Sequence, residues 1–291
     1  MKTEFIATGN PLVNPRQVIN LPPNPYSFLL LKITGKNADE AEITKDDFCR
    51  IRITRNGEDL HNWLYGKYHR YTDLKGGHPI EISGAGDEFS FVCQIPFFVS
   101  GVPNVLDVQG NNEVDVDLDF NGILTALADP PVEINWQLIG VISESVVESY
   151  QLRIFEQNIQ SGAAGRVTEE MANPRNVAFY FTDKDAAVNR IDLLRDGIPV
   201  ANLNDDVLTA LSNIVNRVEA AGIGLTEINC AAEGSLRAAI GKNYKFDVDF
   251  TGAGILEIGR FQVDFNKNIE IARNRTSKRI LNNVNRATKG I

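Results

Sequence analysis

Residues 51–57 have the sequence Ile-Arg-Ile-Thr-Arg-Asn-Gly, and residues 191–197 have the similar sequence Ile-Asp-Leu-Leu-Arg-Asp-Gly. Both segments belong to short runs rich in apolar residues and bounded by Gly, Pro, Asn or Asp, which are typical of strands. Both end in a dipeptide, Asn-Gly or Asp-Gly, that tolerates positive φ at the two central positions of a tight turn. Each segment therefore predicts a strand that closes into a hairpin, and together they suggest an internal repeat.

Two further matches support the repeat. Residues 29–34 resemble residues 177–182, and residues 117–122 (Asp-Leu-Asp-Phe-Asn-Gly) resemble residues 247–252 (Asp-Val-Asp-Phe-Thr-Gly). The three matches follow one chain order with drifting offsets, as two copies of one domain with loop insertions would produce. The small residues of Ser161–Gly165 suggest a hinge between the copies.

Most of the chain outside the repeat consists of short runs rich in Val, Ile, Phe and Tyr, bounded by Gly, Pro, Asn or Asp, which predict strands. A helix is predicted from the N-cap Asn204 to Gly222, and a weaker one begins near Trp63. The predicted fold class is all-β, with two tandem jelly-roll β-sandwiches, a short helix in each, and extended terminal arms.

The domain division follows the changes in composition along the chain. Repeated Asn-Pro and Pro-Pro pairs before residue 26 disfavour helix and central strand, so the N-terminal segment is expected to be an extended arm. The predicted division is an arm over 1–25, a first jelly roll over 26–160, a linker over 161–173, a second jelly roll over 174–265, and a basic tail over 266–291.

Composition narrows the class of protein. The 291 residues are 43% hydrophobic and 23% charged, an ordinary balance for a globular chain. Three Cys are too few for a disulfide framework, and no apolar run approaches the roughly 20 residues of a membrane-spanning helix. The N-terminus lacks the apolar core of a signal peptide. The expectation is a protein made in a reducing cytoplasm.

Charge is distributed unevenly. Residues 266–291 contain seven Lys or Arg and one acid, whereas the remainder contains 22 basic and 37 acidic residues. An acidic body disfavours nucleic-acid binding, while a basic tail suits anionic lipid or an acidic neighbour; the alternative is a frayed, solvated terminus. The candidates for membrane or subunit contact are Arg273, Arg275, Lys278, Arg279, Arg286 and Lys289.

The sequence lacks the common motifs for catalysis and cofactor binding. The three His, at positions 61, 69 and 78, lack the spacing of a metal-binding jelly roll, and the chain contains no nucleophile elbow or phosphate-binding loop. The prediction is a protein that is not an enzyme and has no cofactor. Asp115, Asp117 and Asp119 lie on one face of a predicted strand and are weak candidates for structural calcium; a solvated or partner-facing strand edge is the alternative.

Together, the tandem β units, the helix after each central hairpin, the proline-rich N-terminal segment and the basic C-terminal segment resemble a known family. They are similar to the double jelly-roll major capsid proteins of icosahedral, membrane-containing bacteriophages of the corticovirus and Flavobacterium lipid-phage type. The resemblance covers about residues 26–266 and is one of architecture and length, without a short motif.

The resemblance implies a structural virion protein. Pseudo-hexameric homotrimers would tile a shell around an internal membrane, in contact with neighbouring capsomers and with penton or minor capsid proteins. The basic tail would lie near membrane lipids, and no sequence-specific nucleic-acid binding is expected. The alternative is a tandem β-sandwich lectin or adhesin-like module that binds carbohydrate, and a third possibility is an enzyme on a jelly-roll scaffold.

Overall fold

The computed structural model describes residues 2–36, 49–68, 88–99, 102–109, 112–121, 133–144, 146–171, 173, 175–183, 187–204, 225–229 and 241–265. Its strands are β1 (Lys2–Gly9), β2 (Arg16–Asn20), β3 (Pro25–Lys36), β4 (Arg50–Arg55), β5 (Glu58–Leu64), β6 (Glu88–Pro96), β7 (Leu106–Asp107), β8 (Val114–Asp119), β9 (Glu133–Ile142), β10 (Tyr150–Ser161), β11 (Gly165–Met171), β12 (Asn176–Asp183), β13 (Val188–Arg195), β14 (Ile198–Asn204), β15 (Leu225–Asn229), β16 (Tyr244–Phe250) and β17 (Gly254–Phe265). The prediction of an all-β chain is confirmed.

Both predicted hairpins are present. Asn56 and Gly57 join β4 to β5 with φ of 52° and 81°, and Asp196 and Gly197 join β13 to β14 with φ of 52° and 80°. These left-handed conformations at two consecutive residues explain why each turn uses Gly preceded by Asn or Asp.

The two halves of the chain have the same strand connectivity. In the first half, one sheet has the order β1-β9-β3-β6, with β7 also on β3, and the other has the order β2-β8-β4-β5. In the second half the corresponding orders are β10-β17-β12-β15 and β11-β16-β13-β14. Every strand that the structure describes in the second half therefore has a counterpart in the first, from β10, the counterpart of β1, to β17, the counterpart of β9.

The residue register is also repeated. Arg16 and Arg50 both pair with Asp119, in β2-β8-β4. Arg166 and Arg190 both pair with Asp249, in β11-β16-β13. Because register is set by which side chains face the core, its repetition in two sheets confirms the duplication predicted from the sequence.

The halves share one continuous sheet and one core. A parallel bridge between Ile154 of β10 and His61 of β5 joins four strands from each half into an eight-stranded sheet. One hydrophobic cluster extends from the first half into β10, β12 and β17, and a smaller cluster fills the second half. The two sandwiches therefore pack side by side through a shared sheet and a shared core.

Two segments differ from the predicted division. Residues 1–25, expected to be an arm, contain β1 and β2, which pair antiparallel with β9 and β8. The prolines lie outside these strands and β2 is the edge of its sheet, so no ladder hydrogen bond is lost to them. Residues 161–173, expected to be a linker, contain β11, which pairs with β16.

Helical structure is limited in the described part of the chain. Residues 65–68 are helical and follow directly after β5, where a weak helix was expected. Asn204 is the last residue of β14, and the helix predicted after it lies outside the described residues, as does the tail over 266–291. Within the described ranges, no helix has the length and apolar character required to cross a bilayer.

Candidate functional site

The two halves of the chain meet at a junction, where β5 lies beside β10. Trp63 of β5 is 1% exposed and packs against one ring of its own half and two rings of the other half. The ring centroids lie 5.0 Å from Tyr68, 5.9 Å from Phe261 and 6.3 Å from Tyr180. Edge-to-face packing of this kind adds to the free energy of area burial.

A glycine makes this packing possible. A Cβ atom placed on Gly259 of β17 would lie 2.8 Å from Cζ2 of Trp63, which is closer than Cβ contacts allow. The indole therefore rests directly on the backbone of the second half, and a larger residue at position 259 would push the halves apart.

His61 lies fully buried at the same junction. Its Nδ1 is 3.1 Å from the hydroxyl of Tyr68, and its ring centroid is 5.5 Å from that of Phe97. Burial disfavours the charged imidazolium and lowers the pKa of His61 to about 3. The imidazole is therefore neutral at physiological pH and contributes to the packing of the junction.

Charged residues complete the junction. Lys67 Nζ lies 2.8 Å from Glu156 Oε1 and 3.0 Å from Glu257 Oε2, both in the second half. Arg153 Nη2 of β10 lies 2.7 Å from Glu58 Oε2 at the start of β5. The Lys67 pairs are largely shielded from bulk water and fix the relative orientation of the two surfaces, because an unpaired charge there is costly.

A further ion pair lies at one end of the junction. Both Nη atoms of Arg55 donate to the carboxylate of Glu148, Nη1 to Oε1 and Nη2 to Oε2 over 3.0 Å. Nη2 also donates to the carbonyl oxygen of Asp107 over 2.9 Å. Burial raises the pKa of Glu148, while the arginine opposes that rise. The pair connects the β4–β5 hairpin to the segment that leads into β10.

The three Asp residues considered for calcium point along β8 without meeting at one point. Asp117 accepts two hydrogen bonds from Arg16, at 3.1 and 2.7 Å. Asp115 accepts one from Asn20 at 3.1 Å, and Asp119 accepts one from the backbone of Asn121 at 2.9 Å. Each carboxylate thus has its own protein donor, which favours the strand-edge interpretation.

The second half repeats this polar ladder on β16. Arg166 Nη2 lies 2.9 Å from Asp247 Oδ2 and 3.0 Å from Asp192 Oδ2. The Thr168 hydroxyl donates to Asp247 over 2.6 Å, and this hydrogen bond is the largest cause that lowers the pKa of Asp247. In the part of the chain that the structure describes, no group of three His, Cys, Asp or Glu side chains could hold a metal ion.

Several large apolar side chains remain exposed and were not identified from the sequence as a site. Phe5 of β1 is 60% exposed and Ile198 of β14 is 67% exposed. Only a comparison of the two copies distinguishes them. The counterpart of Phe5 is Ile154, which is buried, and the counterpart of Ile198 is Glu58, which forms an ion pair. The six basic residues proposed for membrane or subunit contact lie outside the described residues.

Solved structures of viral capsid proteins have a similar fold. The chain superimposes on the major capsid protein P2 from Bacteriophage PM2 with a TM-score of 0.58 and 14% identity, over 91% of this chain and 98% of that one. For the STIV major capsid protein the TM-score is 0.69 at 10% identity, over 93% and 98% of the two chains. For PBCV-1 VP54 it is 0.55 at 8% identity, over 90% and 92%.

The fold is a double jelly roll. The resemblance stated from the sequence is thereby confirmed at the level of fold, and these neighbours are capsid proteins. No protein-family model and no curated protein matches the chain by sequence. The two halves described above are accordingly the first and second jelly rolls, and the Trp63 junction is the contact between them.

Proposed function

We propose that this protein is a viral major capsid protein that assembles as a homotrimer with a pseudo-hexagonal outline. The observation that carries the proposal is the repeated strand order and register of the two jelly rolls, in a fold shared with capsid proteins over at least 90% of the chain. Three subunits with two similar sandwiches each would present six similar walls, and a closed ring satisfies its contacts by symmetry.

The rigid junction suits this role. A capsomer must hold its shape while it contacts several neighbours, so the two sandwiches of a subunit should not move against each other. The continuous sheet across β5 and β10 and the buried Trp63 supply that rigidity. We place the boundary between the jelly rolls in the segment between Ile142 and Tyr150, since β10 is the counterpart of β1.

At a finer level, we propose that the trimers tile an icosahedral shell around an internal membrane, beside penton or minor capsid proteins, within the virion. The basic tail over 266–291 would lie against neighbouring capsomers or anionic headgroups. Each basic residue near such a surface contributes about 1 kcal/mol, so a cluster of this size can hold a shell to a vesicle.

Solution mass tests the assembly. Purified protein measured by light scattering during size exclusion should have about three times the 32.2 kDa chain mass, and electron microscopy should show particles with a hexagonal outline. A chain that stays monomeric across the micromolar range would contradict the proposal, whereas carbohydrate binding by that monomer would favour the lectin alternative.

The tail has its own test. Replacing Arg273, Arg275, Lys278, Arg279, Arg286 and Lys289 by Gln should leave the trimer mass unchanged. Flotation with vesicles that contain a quarter anionic lipid should fall at least tenfold for this variant, and the wild-type signal should weaken with added salt. A control that replaces the six neutral residues Asn274, Thr276, Ser277, Asn282, Asn283 and Asn285 by Gln should bind as the wild type does. Equal binding by all three proteins would contradict lipid contact by the tail.

A further inference from the structure

The internal repeat shows which surface of the second jelly roll is covered, and by what. A row of residues crosses β10, β17 and β12 at one register level: Ile154 pairs with Phe261, which pairs with Ala178. All three are at most 1% exposed. They are covered by the first jelly roll, in the cluster that contains Trp63 of β5.

The same row exists in the first jelly roll and lacks this cover. At the equivalent register level Phe5 pairs with Ile139, which pairs with Leu30, across β1, β9 and β3. Phe5 is 60% exposed, and Ile139 and Leu30 are partly exposed. An apolar row that is buried in one copy and open in the other marks a surface from which a partner is missing.

The element that would supply the cover is also present and also open. The counterpart of β5 in the second jelly roll is β14, which ends the order of its sheet in the described part of the chain, as β1 ends its own. Ile198, at the start of β14, is 67% exposed and takes the register position of Glu58. Exposed, unpaired edges with apolar side chains favour association with another chain.

We propose that β14 of one subunit packs beside β1 of the next and covers the row of Phe5, Ile139 and Leu30, as β5 packs beside β10 within each chain. The partner is a second copy of this chain, because the covering surface is one that the chain itself carries. The contact is heterologous, so successive subunits repeat it around a ring. The inference rests on the proposed trimer and assigns its subunit interface.

The first test disrupts the apolar row. Phe5→Asp places a charge where an apolar surface should be buried, and should shift the mass in light scattering from three chains to one at micromolar concentration. Val13→Asp is the matched control, because Val13 lies in the β1–β2 loop, is 82% exposed and is not part of the apolar row. This control should remain a trimer.

The second test uses cross-linking and does not depend on disruption. Ala201 holds in β14 the register position that His61 holds in β5, and His61 is paired with Ile154, the counterpart of Phe5. A chain that carries Phe5→Cys and Ala201→Cys should form covalent dimers and trimers under oxidation or with a short bismaleimide. Chains with either substitution alone should run as monomers in denaturing gels.

The third test uses the sign of a charge. Within the chain, Arg153 pairs with Glu58, and their counterparts across the proposed interface are Glu4 and Ile198. Ile198→Glu should therefore weaken the trimer at least tenfold more than Ile198→Arg, because only the arginine has the sign opposite to that of Glu4.

The outcomes separate this inference from the proposed function. A wild-type trimer in which Phe5→Asp leaves the mass unchanged and the paired cysteines give no product between chains would overturn the interface and leave the capsid proposal standing. A monomeric wild type would overturn both. If Phe5→Asp is insoluble, the cross-linking result decides alone.

Discussion

Acid should destabilise the folded chain through His61, and replacement of that imidazole should remove part of the effect. His61 lies fully buried at the junction, beside the Tyr68 hydroxyl and the Phe97 ring, and burial lowers its pKa from 6.5 to about 3. Because the unfolded chain binds a proton at this residue far more readily than the folded chain, falling pH favours unfolding.

The magnitude follows from the two pKa values. The stabilising effect of the neutral imidazole is fully present above pH 6.5 and is lost as the pH falls towards 3. At about 1.4 kcal/mol per pH unit, the loss between pH 7 and pH 5 is about 2 kcal/mol, and the total is about 5 kcal/mol at pH 3. His61→Asn cannot take up the proton and should be free of this loss.

Urea unfolding at pH 7 and pH 5, followed by tryptophan fluorescence at one fixed chain concentration, measures the effect. The free energy of unfolding of the wild type should fall by about 2 kcal/mol more than that of His61→Asn. Tyr68→Phe is the control, because it removes the hydroxyl beside Nδ1 and keeps the imidazole, so its pH dependence should follow the wild type. Equal pH dependence in wild type and His61→Asn would refute the reasoning.

Two further predictions concern the packing and the charges around the same junction. Gly259→Ala should destabilise the protein by about 1–3 kcal/mol in thermal unfolding, because the added Cβ would lie 2.8 Å from the buried Trp63 ring. Gly252→Ala is the control and should have little effect, because no atom lies within 4 Å of the position of its Cβ. Glu148→Gln should cost about 3 kcal/mol, because it leaves the partly buried Arg55 without its counter-charge. A double change to Arg55→Met and Glu148→Leu should recover much of that loss in urea unfolding, and a double variant no more stable than the single would contradict this account.

The duplication could be predicted because corresponding strands of the two copies keep similar sequences. The matched segments at 51–57 and 191–197 become β4 and β13 with their hairpin turns, and 117–122 and 247–252 supply the strands β8 and β16 beside them. Each match is short, yet the alternation of buried and exposed positions must be kept for the strand to pair correctly.

The first two strands could not be predicted for a reason that is also physical. β2 is a five-residue edge strand with a proline immediately before it, so its local sequence has the features of an extended arm. Only the pairing with β8, about 100 positions away in the chain, makes it part of a sheet. Local pattern carries no information on such a partner.

The junction is hidden from the sequence in the same way. Trp63 meets Tyr180 and Phe261, and His61 meets Ile154, at separations that no periodicity connects. The exposed apolar residues Phe5 and Ile198 could not be identified from the sequence for the same reason. They stand out only when each is compared with its buried or ion-paired counterpart in the other half.

The copies differ at one position of their polar ladders in a way that bears on assembly. In the first jelly roll Arg52 of β4 pairs with Asp117 in the strand register, whereas in the second the equivalent position holds Asp192, which shares Arg166 with Asp247. The side chain at this position is therefore an exposed cation in one sandwich and a buried anion, paired with Arg166 and Arg190, in the other. In a ring of three chains, the six walls would be alike in strand order and would differ in side-chain chemistry at this position. Contacts of the ring at this position would therefore follow threefold rather than sixfold symmetry.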